Sequence, residues 1–265
     1  MMKSQLKANL KLLLILVVIG CDFTPRLHKE VILAQEKLKS QDYQEAITLY
    51  EKILKGNISK YLRMKISFQL GELYSLHLGK YSKAIFYYEE VRDLADDPKW
   101  QVKAEEKLAD INFSFLKEYK ESLRIYKKLF SFMPRLESYQ FYKFRYAMSL
   151  FKMHESTSAE RAFSEITQDE TSEYNIRSMF FIGLIEFENK EWERSIKQLR
   201  EYIKKEKRKD DIVQAKFLMA NAYETMEDLK KAYNLYYSIL GEYPNTEVLK
   251  NRLNSIYSRR VARKR

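Results

Sequence analysis

The chain is poor in glycine and proline, with 6 and 4 of them among its 265 residues. No Asn-Gly or Asp-Gly pair separates alternating apolar runs, which argues against hairpins and sheets. The few glycines also leave little material for a phosphate-binding loop. Lysine, glutamate, leucine and tyrosine are abundant instead. The composition therefore predicts an all-α protein.

Histidine is also scarce. His28, His77 and His154 lie far apart, and none has the His-x-x-x-His spacing that a helical zinc pair requires. The run from His154 to Ser156 has the residue types of a catalytic triad fragment, but it falls where a helix-to-helix turn is predicted. Neighbouring acids such as Glu105 and Glu106 suit the polar face of a helix better than acid–base catalysis. We predict no catalytic residue, metal or cofactor, and expect no enzyme.

The apolar run Leu12–Ile19 is too short to span a membrane, which takes about 20 residues. It follows a basic start and ends at Gly20 and Cys21, the pattern of a signal peptide. The segment resembles a bacterial lipoprotein signal. That resemblance implies cleavage after Gly20, lipidation of Cys21, removal of residues 1–20 and a short tether over residues 21–27. A buried cysteine, or a secretory signal cleaved elsewhere, is the alternative.

The lipoprotein resemblance implies an anchor on the periplasmic side of a bacterial envelope membrane. Each buried methylene contributes about 0.8 kcal/mol and one acyl chain binds only marginally, so the two chains of a diacylglyceryl group are needed for stable attachment. Asp22 is similar to the residue that retains lipoproteins in the inner membrane of enteric bacteria. The outer membrane is somewhat favoured, and the inner membrane remains possible.

Positive charge exceeds negative charge. The formal net charge of +11 falls to +8 when the three lysines of residues 1–20 are left out. Much of the remainder lies in residues 204–209 and in the tail of residues 258–265. Such runs can bind nucleic acid, but export argues against that partner. An anionic surface remains a possible partner for the 258–265 tail, and a solvated, frayed helix end is the alternative.

A pattern of small and bulky residues recurs six times. Its small residue recurs every 36 to 38 positions, at Ala46, Ala84, Ser122, Ala159, Ser195 and Ala232. A second small residue precedes each by twelve or thirteen positions, at Ala34, Gly71, Ala109, Ala147, Gly183 and Ala220. A bulky residue follows each by four, at Tyr50, Tyr88, Tyr126, Phe163, Leu199 and Tyr236. This period predicts a solenoid of paired helices.

The pattern resembles the tetratricopeptide repeat, which has a small residue on its first helix and Ala-x-x-x-aromatic-x-x-aliphatic on its second. Closing prolines appear at repeat ends, at Pro98, Pro134 and Pro244. The resemblance implies a right-handed α-solenoid of about six helix pairs over residues 28–244. A capping helix with a basic tail is expected in residues 245–265, with Asn245 or Thr246 as its N-cap.

In that family the first helices of the pairs line a concave groove that binds partners. The matching positions here are Phe68, Glu72, Phe113, Phe144, Met148, Phe151, Phe180, Phe187, Phe217 and Asn221. Exposed aromatic and methionine side chains are typical of surfaces that bind peptides or helices. The alternative is that neighbouring first helices bury these side chains between themselves.

The combined hypothesis is a membrane-anchored scaffold lipoprotein that binds other proteins during envelope assembly. In size and signal it resembles BamD-like components of outer-membrane β-barrel assembly. In repeat number it resembles pilotin-like lipoproteins that assemble type IV pilus secretins. A regulator of a cell-wall enzyme is a further alternative.

Overall fold

The computed structural model describes residues 26–263, and every regular element within them is helical. The chain divides into two compact units between Gln101 and Val102. The first unit contains α1 Arg26–Lys39, α2 Tyr43–Leu54, α3 Lys60–Glu72, α4 Tyr81–Leu94 and the start of α5 Pro98–Asp110. The second contains the rest of α5, then α6 Tyr119–Phe130, α7 Tyr139–Lys152, α8 Ser156–Thr167, α9 Asn175–Glu188, α10 Trp192–Lys205, α11 Lys209–Thr225, α12 Leu229–Ser238 and α13 Thr246–Ala262.

Consecutive helices pack against each other within each unit. In the first unit α1 packs on α2 and α3 on α4; in the second, each helix from α6 to α13 packs on the next. The prediction of an all-α fold built from paired helices is therefore confirmed. In the part of the chain that the structure describes, no helix is long and apolar enough to cross a membrane.

Side-chain caps begin several helices. The side chains of Asp42, Ser59, Asp228 and Asn245 each accept a hydrogen bond from the backbone N–H three residues on. Such a bond satisfies one of the N–H groups that a helix start leaves without an internal partner. Asn245 was a predicted cap, and it accepts from the N–H of Val248 at 3.1 Å.

The twelve periodic small residues are all buried. The two glycines among them show why small residues are required. A Cβ on Gly71 would lie 2.6 Å from the ring of Tyr88, and a Cβ on Gly183 would lie 2.8 Å from Leu199. Both bulky residues occupy the fourth position after the small residue of the second helix. The small residues therefore mark the closest approach of the paired helices, as the repeat pattern predicts.

Every pair turns through a residue in the left-handed conformation, always five positions before the small residue of the second helix. Their φ values lie between 59 and 64°, at Gln41, Gly79, Lys117, His154, Lys190 and Glu227. The next residue's N–H then bonds back to the first helix, as from Glu155 to the carbonyl of Leu150 at 3.0 Å. This closing turn satisfies carbonyls at the end of the first helix. His154 thus belongs to a turn, as predicted.

Two first helices end in π-helical turns, Leu73–His77 after α3 and Ile111–Leu116 after α5. These are the two repeats in which the paired small residues lie thirteen rather than twelve positions apart. A π-helical turn absorbs one additional residue without shifting the rest of the helix. The continuous helices were predicted, but the π-helical turns were not.

Candidate protein-binding surface

All ten residues assigned to the groove lie on the first helix of a pair or on its π-helical end. Nine of them are partly buried, between the fully exposed and fully buried extremes. Phe144 is the exception, because its residue is only 4% exposed. Its predicted role as a partner contact is therefore corrected: this ring belongs to the core of the second unit.

Phe144 is covered by a residue that the repeat pattern does not include. Tyr174, in the connection before α9, stacks on its ring at a centroid distance of 4.8 Å. Phe181 of α9 packs between Phe144 and Phe163, with centroid distances of 6.0 and 5.2 Å. Sequence reasoning missed Phe181, although it directly follows the predicted groove residue Phe180 in the sequence.

The predicted groove phenylalanines of α9 and α11 rest against aromatic partners and are partly buried. The ring of Phe180 lies 5.4 Å from that of Tyr202, and Phe187 lies 5.1 Å from Trp192. Phe217 stacks on Tyr243 at 4.3 Å. Such offset and edge-on contacts hold rings in one orientation. The result is a row of fixed, half-covered apolar side chains on the first helices of the second unit.

The first unit contributes a separate aromatic contact. Phe68 meets Tyr88 edge-on at 5.6 Å and Trp100 at 5.4 Å. Glu72 lies one turn further along α3 and accepts a hydrogen bond from Gln69 at 3.4 Å. This end of the predicted groove is therefore less apolar than the part in the second unit.

Cations on α7 and α9 lie over aromatic rings. The guanidinium carbon of Arg145 is 4.3 Å from the ring centre of Phe113, and that of Arg177 is 5.2 Å from Phe144. Lys152 lies 5.8 Å from the ring of Phe151. Ring faces attract cations through their negative face potential. These contacts place positive charge beside the apolar row.

The C-terminal helix closes the last repeat through arginines. Glu224 of α11 is buried, and its carboxylate oxygens lie 3.3 Å from Arg252 and 3.1 Å from Arg259 of α13. Arg259 and Arg263 also bind Glu227. A charged cavity of about 470 Å³ lies beside these groups and reaches Asn221 and Phe187. The carboxylates of Glu224 and Glu227 therefore compensate the positive charges of these arginines. The arginines hold α13 against α11.

These contacts argue against the alternative of a solvated, frayed helix end for the basic tail. The helix continues to Ala262, and Arg260 lies 5.7 Å from the ring centre of Tyr233. Two of the tail's cations, Arg259 and Arg263, are paired with acids. Lys264 and Arg265 lie outside the described residues, so an anionic partner for the tail stays a prediction.

The second basic run, residues 204–209, is partly paired with acids. Lys204 binds Glu201 at 2.7 Å and Lys209 binds Glu242 at 2.9 Å. Arg208 binds Glu206 at 3.0 Å, and the hydrogen bonds from Arg208 lower the pKa of Glu206 to about 2. Three of the five cations of this run are therefore paired with acids.

Besides Glu224, two further glutamates are buried in the second unit. Glu105, predicted to lie on a polar face, is 2% exposed and binds Lys128 at 2.6 Å, which corrects that prediction. Burial raises the pKa of Glu186 to about 7, although Arg194 lies 3.1 Å away.

Within residues 26–263, no group of three His, Cys, Asp or Glu side chains is placed to hold a metal ion.

Comparison with known proteins identifies the repeats. Models described as tetratricopeptide repeat match residues 33–98 and 214–246. The chain therefore contains tetratricopeptide repeats, a fold typical of non-catalytic scaffolds that bind proteins. No curated protein matches the chain.

Solved structures share the fold at low sequence identity. PilW, described as a widely conserved type IV pilus biogenesis factor, is 13% identical with a TM-score of 0.53, covering 87% of this chain and 98% of PilW. YrrB, described as a TPR protein with an unusual peptide-binding site, is 14% identical with a TM-score of 0.52, covering 76% and 96%. The apo form of RapI is 13% identical with a TM-score of 0.50, covering 91% and 100%.

Proposed function

We propose that this chain is a membrane-anchored scaffold that binds other proteins during assembly of a bacterial envelope structure. The observation that carries the proposal is the partly buried apolar row of the second unit, which includes Phe151, Phe180, Phe187 and Phe217. Tetratricopeptide repeats at both ends of the chain support it.

Binding energy would come mainly from covering this apolar row. Apolar burial contributes about 25 cal/mol per Å², from which the costs of association and ordering are subtracted. Because the rings are already held by Tyr202, Trp192 and Tyr243, little side-chain freedom is lost on binding. Fixed aromatic side chains are common energetic centres of interfaces.

The test of this surface is site-specific photo-crosslinking in intact cells from position 187 or 180. A crosslinker at Phe86 is the matched control, because that phenylalanine is exposed on α4, a second helix. We expect a discrete adduct from positions 187 and 180 and none from position 86. Equal labelling from all three positions, or no adduct at all, would contradict binding at this row.

The anchor is the second part of the proposal. Gly20 and Cys21 lie outside the described residues, and the support is the apolar run that ends in the chain's single cysteine. Two acyl chains on Cys21 would hold the scaffold at the membrane and raise the effective concentration of partners there. Mass analysis of the N-terminal peptide should show a diacylated Cys21. In the Cys21→Ser variant, the chain should leave the membrane fraction.

The outer membrane is the favoured location, and the inner membrane is the alternative because of Asp22. Fractionation of the two membranes decides between them. Recovery of the chain with residues 1–20 still attached and Cys21 unmodified would contradict lipid anchoring in either membrane.

A pilotin-like role in type IV pilus assembly is the second candidate function. The observation that favours it is the similarity of fold to PilW over 98% of that chain. At 13% identity this similarity shows a shared fold and not a shared role. A BamD-like role in β-barrel assembly remains the other alternative. Co-purification with a secretin would support the pilus role, and co-purification with β-barrel assembly proteins would support the BamD-like role.

A further inference from the structure

A cavity of about 380 Å³ opens beside the first helices of the last two repeats. Its apolar wall is formed by Phe180, Phe181 and Tyr202. Arg177 and Gln214 line it as well, so it combines aromatic surface with hydrogen-bond donors. Pockets of this kind bind ligands by apolar burial and fix their orientation through a few polar groups.

The cavity contains one uncompensated cation. Arg177 is exposed and, within residues 26–263, makes no ion pair. The one carboxylate of the lining, on Asp211, is already bound by Arg208 at 2.8 Å. Arg208 also binds Glu206 at 3.0 Å. A negatively charged ligand would therefore find its partner at Arg177.

The orientation of Arg177 suits this role. Its guanidinium lies over the ring of Phe144, with 5.2 Å between the guanidinium carbon and the ring centre. A guanidinium held by one face keeps its N–H edges available for a bidentate carboxylate. Lys152 of α7 also lies over a ring and, within residues 26–263, makes no ion pair. Arg177 and Lys152 are thus positioned by rings rather than by acids.

We propose that this cavity recognises an acidic segment of a protein partner. A carboxylate of the segment binds Arg177, and a neighbouring aromatic or aliphatic side chain enters between Phe180, Phe181 and Tyr202. The inference rests on the proposed function, because it specifies the chemistry of the segment that the apolar row binds.

Fluorescence polarisation with two labelled nine-residue peptides tests this recognition on the full chain in detergent. The first peptide alternates Glu and Phe, and the second has Lys in place of every Glu. We expect the Glu peptide to bind at least tenfold more tightly at low salt, with the difference narrowing as salt screens the charges. Arg177→Gln should weaken the Glu peptide at least fivefold, and Arg177→Lys should restore part of the loss.

Arg161→Gln is the matched control, since Arg161 is an exposed arginine on α8 and lines a different cavity. It should leave the affinity unchanged. Circular dichroism of each variant verifies that the fold is intact.

Three results would overturn the inference. The Lys peptide could bind as tightly as the Glu peptide, the affinity could be insensitive to Arg177→Gln, or neither peptide could bind. The proposed function is decided separately by the crosslinking from position 187, which uses no peptide. A discrete adduct there, together with failure of the Glu peptide, would reject the acidic specificity and leave the scaffold role standing.

Discussion

At Gly71 the paired helices α3 and α4 approach so closely that the ring of Tyr88 occupies the space a side chain would need. Gly71→Ala should therefore destabilise the first unit by about 1 to 2 kcal/mol, because overpacking outweighs the better helix propensity of alanine. Urea unfolding measures the change. Ser82→Ala is the control, since Ser82 is exposed on α4. An equal or higher stability of Gly71→Ala would show that the contact is not tight.

Glu186 should make stability depend on pH near neutrality. Burial raises its pKa to about 7, above the ordinary value of 4.5. The folded state then binds a proton that the unfolded state has released, so the free energy of unfolding falls as pH rises from 4.5 to about 7.

Glu186→Gln removes this titration. The variant should match the unmodified chain near pH 4.5 and exceed its stability by about 3 kcal/mol at pH 8. Arg194 keeps Glu160 at 2.6 Å, so the substitution leaves no isolated cation. Glu193→Gln, at an exposed position of α10, is the control. A constant difference between variant and parent across this pH range would refute the titration of Glu186.

At the scale of elements, the π-helical turns mark where two repeats are one residue longer than the others. Deleting Leu76, which is exposed within the turn Leu73–His77, shortens the spacing from Gly71 to Ala84 to the twelve found elsewhere. We expect the turn to become α-helical and the stability to change by less than about 1 kcal/mol. Circular dichroism and thermal unfolding measure this.

Deletion of Lys152 is the matched comparison, because it is exposed at the end of α7 in a repeat with twelve-residue spacing. No additional residue is present there to absorb the change, so the small residues Ala147 and Ala159 should lose register. We expect this variant to lose several kcal/mol, as core disruptions do. If the two deletions change stability equally, the spacing of the small residues does not determine where a π-helical turn forms.

The sequence predicted helix positions well because each element carries its own periodic pattern. Small residues such as Ala84 and Ser195 indicated which face of each helix is buried, and the structure confirms those faces. The sequence could not predict that Tyr174 stacks on Phe144, because Tyr174 lies in a connection outside the repeat pattern. The pairing of Arg259 with Glu224 was equally hidden, since those residues are 35 positions apart.

At the scale of the whole molecule, the second unit has a core of its own. Two clusters of buried apolar side chains lie entirely within it. The residues of the first come from the sequence range 144–185, and those of the second from the range 179–256. Repeat arrays are stabilised by contacts between neighbouring units. The partly buried apolar row and the proposed acidic-peptide cavity also lie in this part of the chain.

A fragment of residues 98–265, which begins at the start of α5, should therefore fold on its own. We expect helical circular dichroism per residue close to that of the full chain and a cooperative urea transition. A fragment of residues 136–265 is the comparison, because it lacks α6 and leaves the α7 face around Ser149 and Tyr146 uncovered. Uncovering that face should lower stability and broaden the transition. If the longer fragment unfolds no more cooperatively than the shorter one, the second unit depends on residues before α5.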